Sequence, residues 1–122
     1  GFFIESYNKK ILKEIGLDFD FVQDNHSRST KDVLRGLHFQ KNHPQGKLVR
    51  CSFGKIFDVA VDLRPNSPTR FQWFGLELTP SNGKSLFVPD GCGHAFLTLA
   101  DSSAQTHEEC CSLPLITNRS LA

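Results

Sequence analysis

The sequence has no long hydrophobic run, no methionine, and only one tyrosine and one tryptophan. No apolar segment approaches the length of a membrane span and no signal-peptide pattern opens the chain, so we expect a cytoplasmic protein with no membrane partner. The formal net charge of the 122 residues is +1, which argues against a nucleic-acid or membrane-surface binder. Any anionic partner must therefore be bound by local charges.

Cysteine is also scarce, with four residues at positions 51, 92, 110 and 111. None forms a C-x-x-C pair, and the spacing does not fit the disulfide framework of a small secreted domain. We therefore expect free thiols in all four cases. The chain begins with Gly1 rather than methionine, and we expect it to be a fragment at its N-terminus.

The chain does contain enough apolar residues for a globular fold. Hydrophobic residues make up 39% of it, including 11 phenylalanines, and its length suits a single domain over residues 1–122. One short helix is predicted, capped by Asn8 and closed by Gly16. Seven strands are predicted, at 19–23, 33–40, 47–52, 56–63, 71–79, 85–88 and 94–99, with turns that include 25–31, 42–44 and 64–69. From residue 101 the chain loses strand alternation and is predicted to form no regular element.

Seven short strands at this spacing predict an all-β fold, an antiparallel sandwich or jelly roll. Within it, Arg35, His38 and Lys47 lie on two consecutive strands joined by a short turn. A guanidinium, an imidazole and an ammonium group suit the binding of an anion and the movement of a proton beside a carbonyl. The alternative for Lys47 is an ordinary solvated surface lysine.

A second motif, Pro-Asp-Gly-Cys-Gly-His-Ala-Phe at 89–96, is a tight turn that feeds a strand. Alternation places His94 on one face with Phe96 and Thr98, facing a pocket if that face is the interior. This is a cupin-type signature. A metal site using His38 and His94 is a possible alternative, but the His-x-His pair of metal cupins is absent.

Other residues leave two interpretations open. Asp58 and Asp62 could be edge charges, or one of them could orient a histidine. Trp73 fits the core of a sheet better than a platform for stacking.

Taken together, these stretches resemble the dTDP-4-dehydrorhamnose 3,5-epimerase family, cupin-type isomerases of nucleotide-sugar metabolism. The resemblance covers roughly the first 100 residues, through segments 1–8, 21–27, 33–40, 45–50, 54–64 and 73–96. It implies a cupin-type jelly roll, a homodimer and no cofactor or metal. It also implies epimerisation at C3 and C5 of a dTDP-4-keto-6-deoxyhexose through an enolate, in dTDP-L-rhamnose biosynthesis.

The resemblance also implies roles for individual residues. His38 is the expected base and Lys47 the expected donor to the enolate oxygen, which suits a carbon acid beside a ketone. Arg35 is the expected diphosphate clamp. Further substrate contacts are expected from Glu5, Gln23, Asp24, Asn25 and His94. The N-terminal segment that includes Glu5 is a candidate to cross into a partner's pocket.

The chain departs from the family pattern in three places. The N-terminal strand is missing, and so is the C-terminal segment that carries the aspartate behind the base. The family's acid, a tyrosine on the strand after the His94 segment, has no tyrosine to match it, since Tyr7 is the only one. Counting on from His94, the position of the acid falls on His107. His107 is therefore the candidate acid, within a divergent stretch at 101–122. The alternatives are an inactive, truncated binder of nucleotide sugars, a related keto-sugar isomerase, or a metal cupin.

Overall fold

Two antiparallel sheets of four strands each form the fold of this protein, seen in a computed structural model that describes residues 1–39 and 45–111. The helix α1 is Lys9–Glu14. The strands are β1 Phe21–Thr30, β2 Leu34–His38, β3 Gln45–Phe53, β4 Ile56–Asp62, β5 Trp73–Leu78, β6 Ser85–Val88, β7 Cys92–Thr98 and β8 Ser102–Cys111. The predicted turn at 42–44 and the tail from 112 lie outside the described residues.

The strand order makes this a cupin-type jelly roll, as predicted. Sheet A has the order β1-β8-β3-β6, and sheet B the order β2-β7-β4-β5. Every pairing is antiparallel. The helix is also confirmed, because the side chain of Asn8 accepts a hydrogen bond from the Ile11 amide at 3.2 Å and caps it.

Two predictions about polar segments are wrong. The segment 25–31 was predicted as a turn, but most of it belongs to β1, which runs to Thr30. The stretch from residue 101 was predicted to be irregular but contains β8, a ten-residue strand at the centre of sheet A. Both strands carry polar side chains on both faces, so neither shows the apolar alternation that marks a half-buried strand.

Arg35, His38 and Lys47 lie on two consecutive strands, as predicted, but these two strands belong to different sheets. Arg35 and His38 belong to β2 in sheet B, whereas Lys47 belongs to β3 in sheet A. The chain crosses from one sheet to the other between them. Consequently these residues meet across the interior of the sandwich rather than side by side.

The interior is divided into an apolar part and a polar part. The apolar cluster is small and consists of Val49, Cys51, Ile56, Leu78, Leu86, Val88 and Phe96. Among the described residues, buried polar or charged side chains outnumber buried hydrophobic ones, eleven to eight. Since buried polar groups are costly unless they are bonded, such a composition indicates a site rather than a core.

Trp73 does not lie in the sheet core as predicted, because 66% of its surface is exposed. It starts β5, an edge strand of sheet B, and lies opposite Val61 in the strand register. Cys51 and Cys92 are free thiols as predicted, and the side chains of Cys110 and Cys111 lie outside the description. In the described ranges, no helix is long and apolar enough to cross a membrane.

Candidate active site

A cavity of about 200 Å³ lies between the two sheets at the polar end of the interior. Four histidines and two cations line it. From sheet B come Arg35, His38 and His94, and from sheet A come His26, Lys47 and His107. Asp24 and Asn25 of β1 also border the cavity. Seven of the nine residues predicted to form the site are therefore found around one cavity.

Glu5 and Gln23 do not border this cavity in the described structure. Gln23 is half-buried and donates a hydrogen bond from Nε2 to Oδ1 of Asn25 at 3.2 Å, so it supports a cavity residue. Glu5 is exposed and accepts a hydrogen bond from Asn8 at 3.0 Å. Asp24 borders the cavity but is itself exposed.

A close contact between β2 and β7 positions the sheet B side of the site. His38 lies directly opposite His94 in the strand register. Between Arg35 and His38, Gly36 has φ +120°, and a Cβ there would lie 2.6 Å from Cβ of Ala95 and 2.7 Å from the carbonyl oxygen of His94. Only glycine lets the strands approach this closely. That approach keeps the two histidines side by side.

His94 is held by a buried carboxylate. Its Nε2 lies 2.7 Å from Oδ1 of Asp58, and the two side chains are 5% and 0% exposed. The prediction that one of the two aspartates could orient a histidine is therefore confirmed for Asp58. Asp62 instead accepts hydrogen bonds from Arg64, Ser67 and Thr69 in the following loop.

Lys47 is one of the buried residues of the cavity, with 8% of its surface exposed. The solvated alternative for this residue is wrong. Burial lowers the pKa of its ammonium group, while the carboxylates of Glu109 and Asp58 act in the opposite direction. A desolvated ammonium beside two carboxylates makes a strong hydrogen-bond donor for an oxygen that gains negative charge.

The surroundings of His38 favour the neutral form of its ring. Burial lowers the pKa of the imidazole most, and the nearby charges of Lys47, His94 and Arg35 lower it further. A neutral imidazole has the free lone pair that a base needs. Among the described residues, no carboxylate accepts a hydrogen bond from this ring.

The second buried pair of the site joins His107 to Glu109. Nε2 of His107 lies 3.1 Å from Oε1 of Glu109, and both residues are 3% exposed. In the register of sheet A, Glu109 lies opposite Lys47. Glu109 was missed from the sequence, although the inward alternation of Ser103, Gln105, His107 and Glu109 would have revealed it once β8 was recognised as a strand.

Chemically, the cavity can hold an anion and transfer protons from two sides. Arg35 is oriented towards sheet A by a hydrogen bond from its Nε to Oγ of Ser29 at 3.1 Å. In the described part of the chain, no group of three or more His, Cys, Asp or Glu side chains is arranged to hold a metal ion.

This fold and cavity define a jelly-roll protein of the cupin type with a polar site between its two sheets. The family model of dTDP-4-dehydrorhamnose 3,5-epimerase matches residues 1–110, and the chain belongs to this family. The enzyme of that name from Salmonella typhimurium is 55% identical over 103 residues, which cover 83% of this chain and 56% of the relative. The one from Methanothermobacter thermautotrophicus is 54% identical over 101 residues, covering 83% and 55%.

Solved structures agree with this assignment. The dTDP-6-deoxy-D-glucose-3,5-epimerase of Legionella pneumophila, in complex with dTDP-4-keto-L-rhamnose, superposes with a TM-score of 0.88 at 43% identity, covering 93% of this chain and 61% of that one. The dTDP-4-dehydrorhamnose 3,5-epimerase of Bacillus anthracis, with TDP and diphosphate bound, gives 0.84 at 44% identity, covering 100% and 75%. The chain spans little more than half the length of the curated relatives named above.

Proposed function

We propose that this protein is a cofactor-independent carbohydrate 3,5-epimerase that acts on a dTDP-4-keto-6-deoxyhexose in the cytoplasm, in the biosynthesis of dTDP-L-rhamnose. The observation that carries the proposal is the convergence of His38 from one sheet with Lys47 and His107 from the other around a single cavity. Membership of the epimerase family supports the substrate class.

His38 is the proposed base. The C–H bonds at C3 and C5 flank the C4 ketone, so loss of either proton gives an enolate. The lowered pKa of His38 favours the unprotonated ring, which can accept the proton. The ring lies on the sheet B side of the cavity, and it would therefore attack the sugar from that side.

Lys47 is the proposed donor to the enolate oxygen. Negative charge develops on the ketone oxygen as the proton leaves, and a buried cation nearby stabilises it without reorganisation. The carboxylates of Glu109 and Asp58 support the charged form of this lysine against the effect of burial on its pKa. His107 is the proposed acid, which delivers a proton to the opposite face of the carbon and so inverts it.

Substrate binding is proposed for Arg35, Gln23, Asp24, Asn25, His94 and Glu5. Arg35 suits the diphosphate because its guanidinium can form paired hydrogen bonds with phosphate oxygens. Glu5 lies in an exposed segment in which Phe2 and Phe3 are 86% and 97% exposed. We propose that the protein is a homodimer in which this segment reaches the partner's cavity and brings Glu5 to the substrate.

One observation favours a second candidate function, a non-catalytic binder of nucleotide sugars. In the described residues, His38 has no hydrogen-bonded carboxylate to fix its tautomer, and loss of such a partner can reduce a rate severely. The cavity, Arg35 and Asn25 would still bind a nucleotide sugar in this case.

Proton exchange in heavy water separates the two candidates. We expect the purified protein to replace the C3 and C5 protons of a dTDP-4-keto-6-deoxyhexose by deuterium. Proton NMR monitors this exchange. His38→Asn should slow exchange by about 10²- to 10⁴-fold and Lys47→Met by about 10²- to 10³-fold, the ranges for loss of a general base and an oxyanion donor. Lys84→Met, at an exposed lysine, is the matched control and should have no effect.

Calorimetry with dTDP completes the test. Binding of dTDP without any exchange would support the binder and contradict the epimerase. Absence of dTDP binding would contradict both candidates.

A further inference from the structure

We propose that Glu109 is a positioning residue that orients His107 as the proton donor of the epimerisation. The carboxylate–histidine pair would then replace the tyrosine hydroxyl that the family resemblance implies as the acid. This inference rests on the proposed function.

The pair is built by the alternation of β8. Residues two apart on a strand point to the same side, and His107 and Glu109 both point into the interior. Their contact of 3.1 Å joins Nε2 to Oε1, and 4% and 3% of the two side chains are exposed. A carboxylate this deeply buried needs a partner, and this imidazole is within hydrogen-bond distance of it.

The hydrogen bond determines which ring nitrogen faces other groups. An ionised carboxylate only accepts hydrogen bonds, so the proton of the contact resides on Nε2 of His107. Nδ1 is then the ring atom left for chemistry. It is buried and has no partner in the described part of the chain, although His107 borders the cavity. A buried nitrogen without a partner at a cavity is accounted for if a substrate is its partner.

The location of the pair suits inversion. His38 belongs to sheet B and His107 to sheet A, with the cavity between them. Inversion of a carbon requires removal of a proton on one side and delivery on the other. In one inversion the C–H proton moves to His38, and the Nδ1 proton of doubly protonated His107 forms the new C–H bond. Exchange with water then restores both rings, so no proton is consumed overall.

The test compares exchange with inversion in Glu109→Gln. Exchange of the C3 and C5 protons needs His38 and Lys47, whereas inversion also needs His107. We expect Glu109→Gln to reduce the inversion rate by about 10²- to 10⁴-fold, the effect of losing an oriented acid. Exchange should fall only a few-fold, because Asp58 still supports the charged form of Lys47. Deuterium would then accumulate in sugar of unchanged configuration. His107→Phe should give the same pattern.

The matched control is Glu108→Gln, the same change one residue earlier on the other face of β8, which should leave both rates unchanged. Equal loss of exchange and inversion in Glu109→Gln would overturn the proposal, because Glu109 would then act through Lys47 or through folding. Unchanged rates would overturn it as well.

A measurement on the unmodified protein tests the pair without catalysis. Imidazole nitrogen NMR should show His107 protonated at Nε2, and Glu109→Gln should convert this signal to a mixture of tautomers. An Nε2 of His107 without a proton would refute the positioning role. If the unmodified protein binds dTDP but neither exchanges nor inverts the sugar, the proposed function fails, and the nitrogen spectrum still decides whether Glu109 fixes His107.

Discussion

The buried pair of Asp58 and His94 gives a sharp prediction for stability. His94→Phe replaces the imidazole by a ring of similar size, so the main change is the loss of the hydrogen-bond partner of Asp58. The carboxylate is 0% exposed, and its second oxygen, Oδ2, has no partner in the described residues. Removing one partner of a buried pair costs about 3–5 kcal/mol, because an uncompensated charge remains.

That cost is large relative to the total stability of a domain, which is about 5–15 kcal/mol. We therefore expect His94→Phe to lose about a fifth or more of the free energy of unfolding. Adding Asp58→Asn removes the unpaired charge, and the double variant should regain about 0.5–3 kcal/mol relative to His94→Phe alone, the range of coupling between residues in contact.

Urea unfolding measures these differences, with shifts in midpoint at an unchanged slope taken as changes in stability. His26→Phe serves as the control, since His26 is an exposed histidine of β1 and its substitution should change stability by less than about 0.5 kcal/mol. A loss below about 1 kcal/mol for His94→Phe, or a double variant no more stable than the single one, would refute the reasoning.

Three further predictions concern a glycine contact between strands, the pKa of His38 and the stability of the loop after β4. Gly36→Ala should destabilise the protein by about 1–3 kcal/mol and slow proton exchange of the substrate, because the new Cβ would overlap β7. Gly83 also has a positive φ but nothing within 4 Å of an added Cβ, so Gly83→Ala should lower the free energy of unfolding by less, as measured by urea unfolding. Lys47→Met should raise the pKa of His38, since the charge of Lys47 helps to lower it, whereas Lys84→Met should not; proton NMR titration of the imidazole decides, and an unchanged pKa would contradict this account. Three loop side chains hold the pKa of Asp62 well below its ordinary 3.8, so its stabilisation is complete above that value and is lost as the pH falls. Asp62→Asn should lower Tm at neutral pH, and its Tm should fall less steeply as the pH is lowered. If Tm falls equally steeply with pH in the variant and the unmodified protein, the loop does not depend on this carboxylate.

The strands that alternate apolar and polar residues could be predicted from the sequence. Strands β4, β6 and β7 lie where predicted, and the face shared by His94, Phe96 and Thr98 is buried as expected. These strands contribute to the apolar cluster, so their inner faces carry the signal on which the prediction depends.

The strands that build the cavity could not be recognised in the same way. On β8 the inner face carries Ser103, Gln105, His107 and Glu109, and the outer face is polar as well, so period-two alternation of hydrophobicity is absent. The crossing of the chain from sheet B to sheet A after His38 is a tertiary feature that local pattern does not specify. The pairing of Glu109 with His107 follows only once that strand is placed.

The division of the interior into an apolar and a polar part ties the stability of this protein to its ligand. At the polar end, histidines, carboxylates and Lys47 take up space that a structural domain would fill with hydrophobic side chains. A ligand that binds only the folded state adds RT ln(1 + [L]/Kd), or about 2.7 kcal/mol at a hundredfold excess over Kd. Occupancy of the cavity thus becomes a substantial part of the folding free energy, and melting temperature can serve as a binding assay for candidate nucleotide sugars.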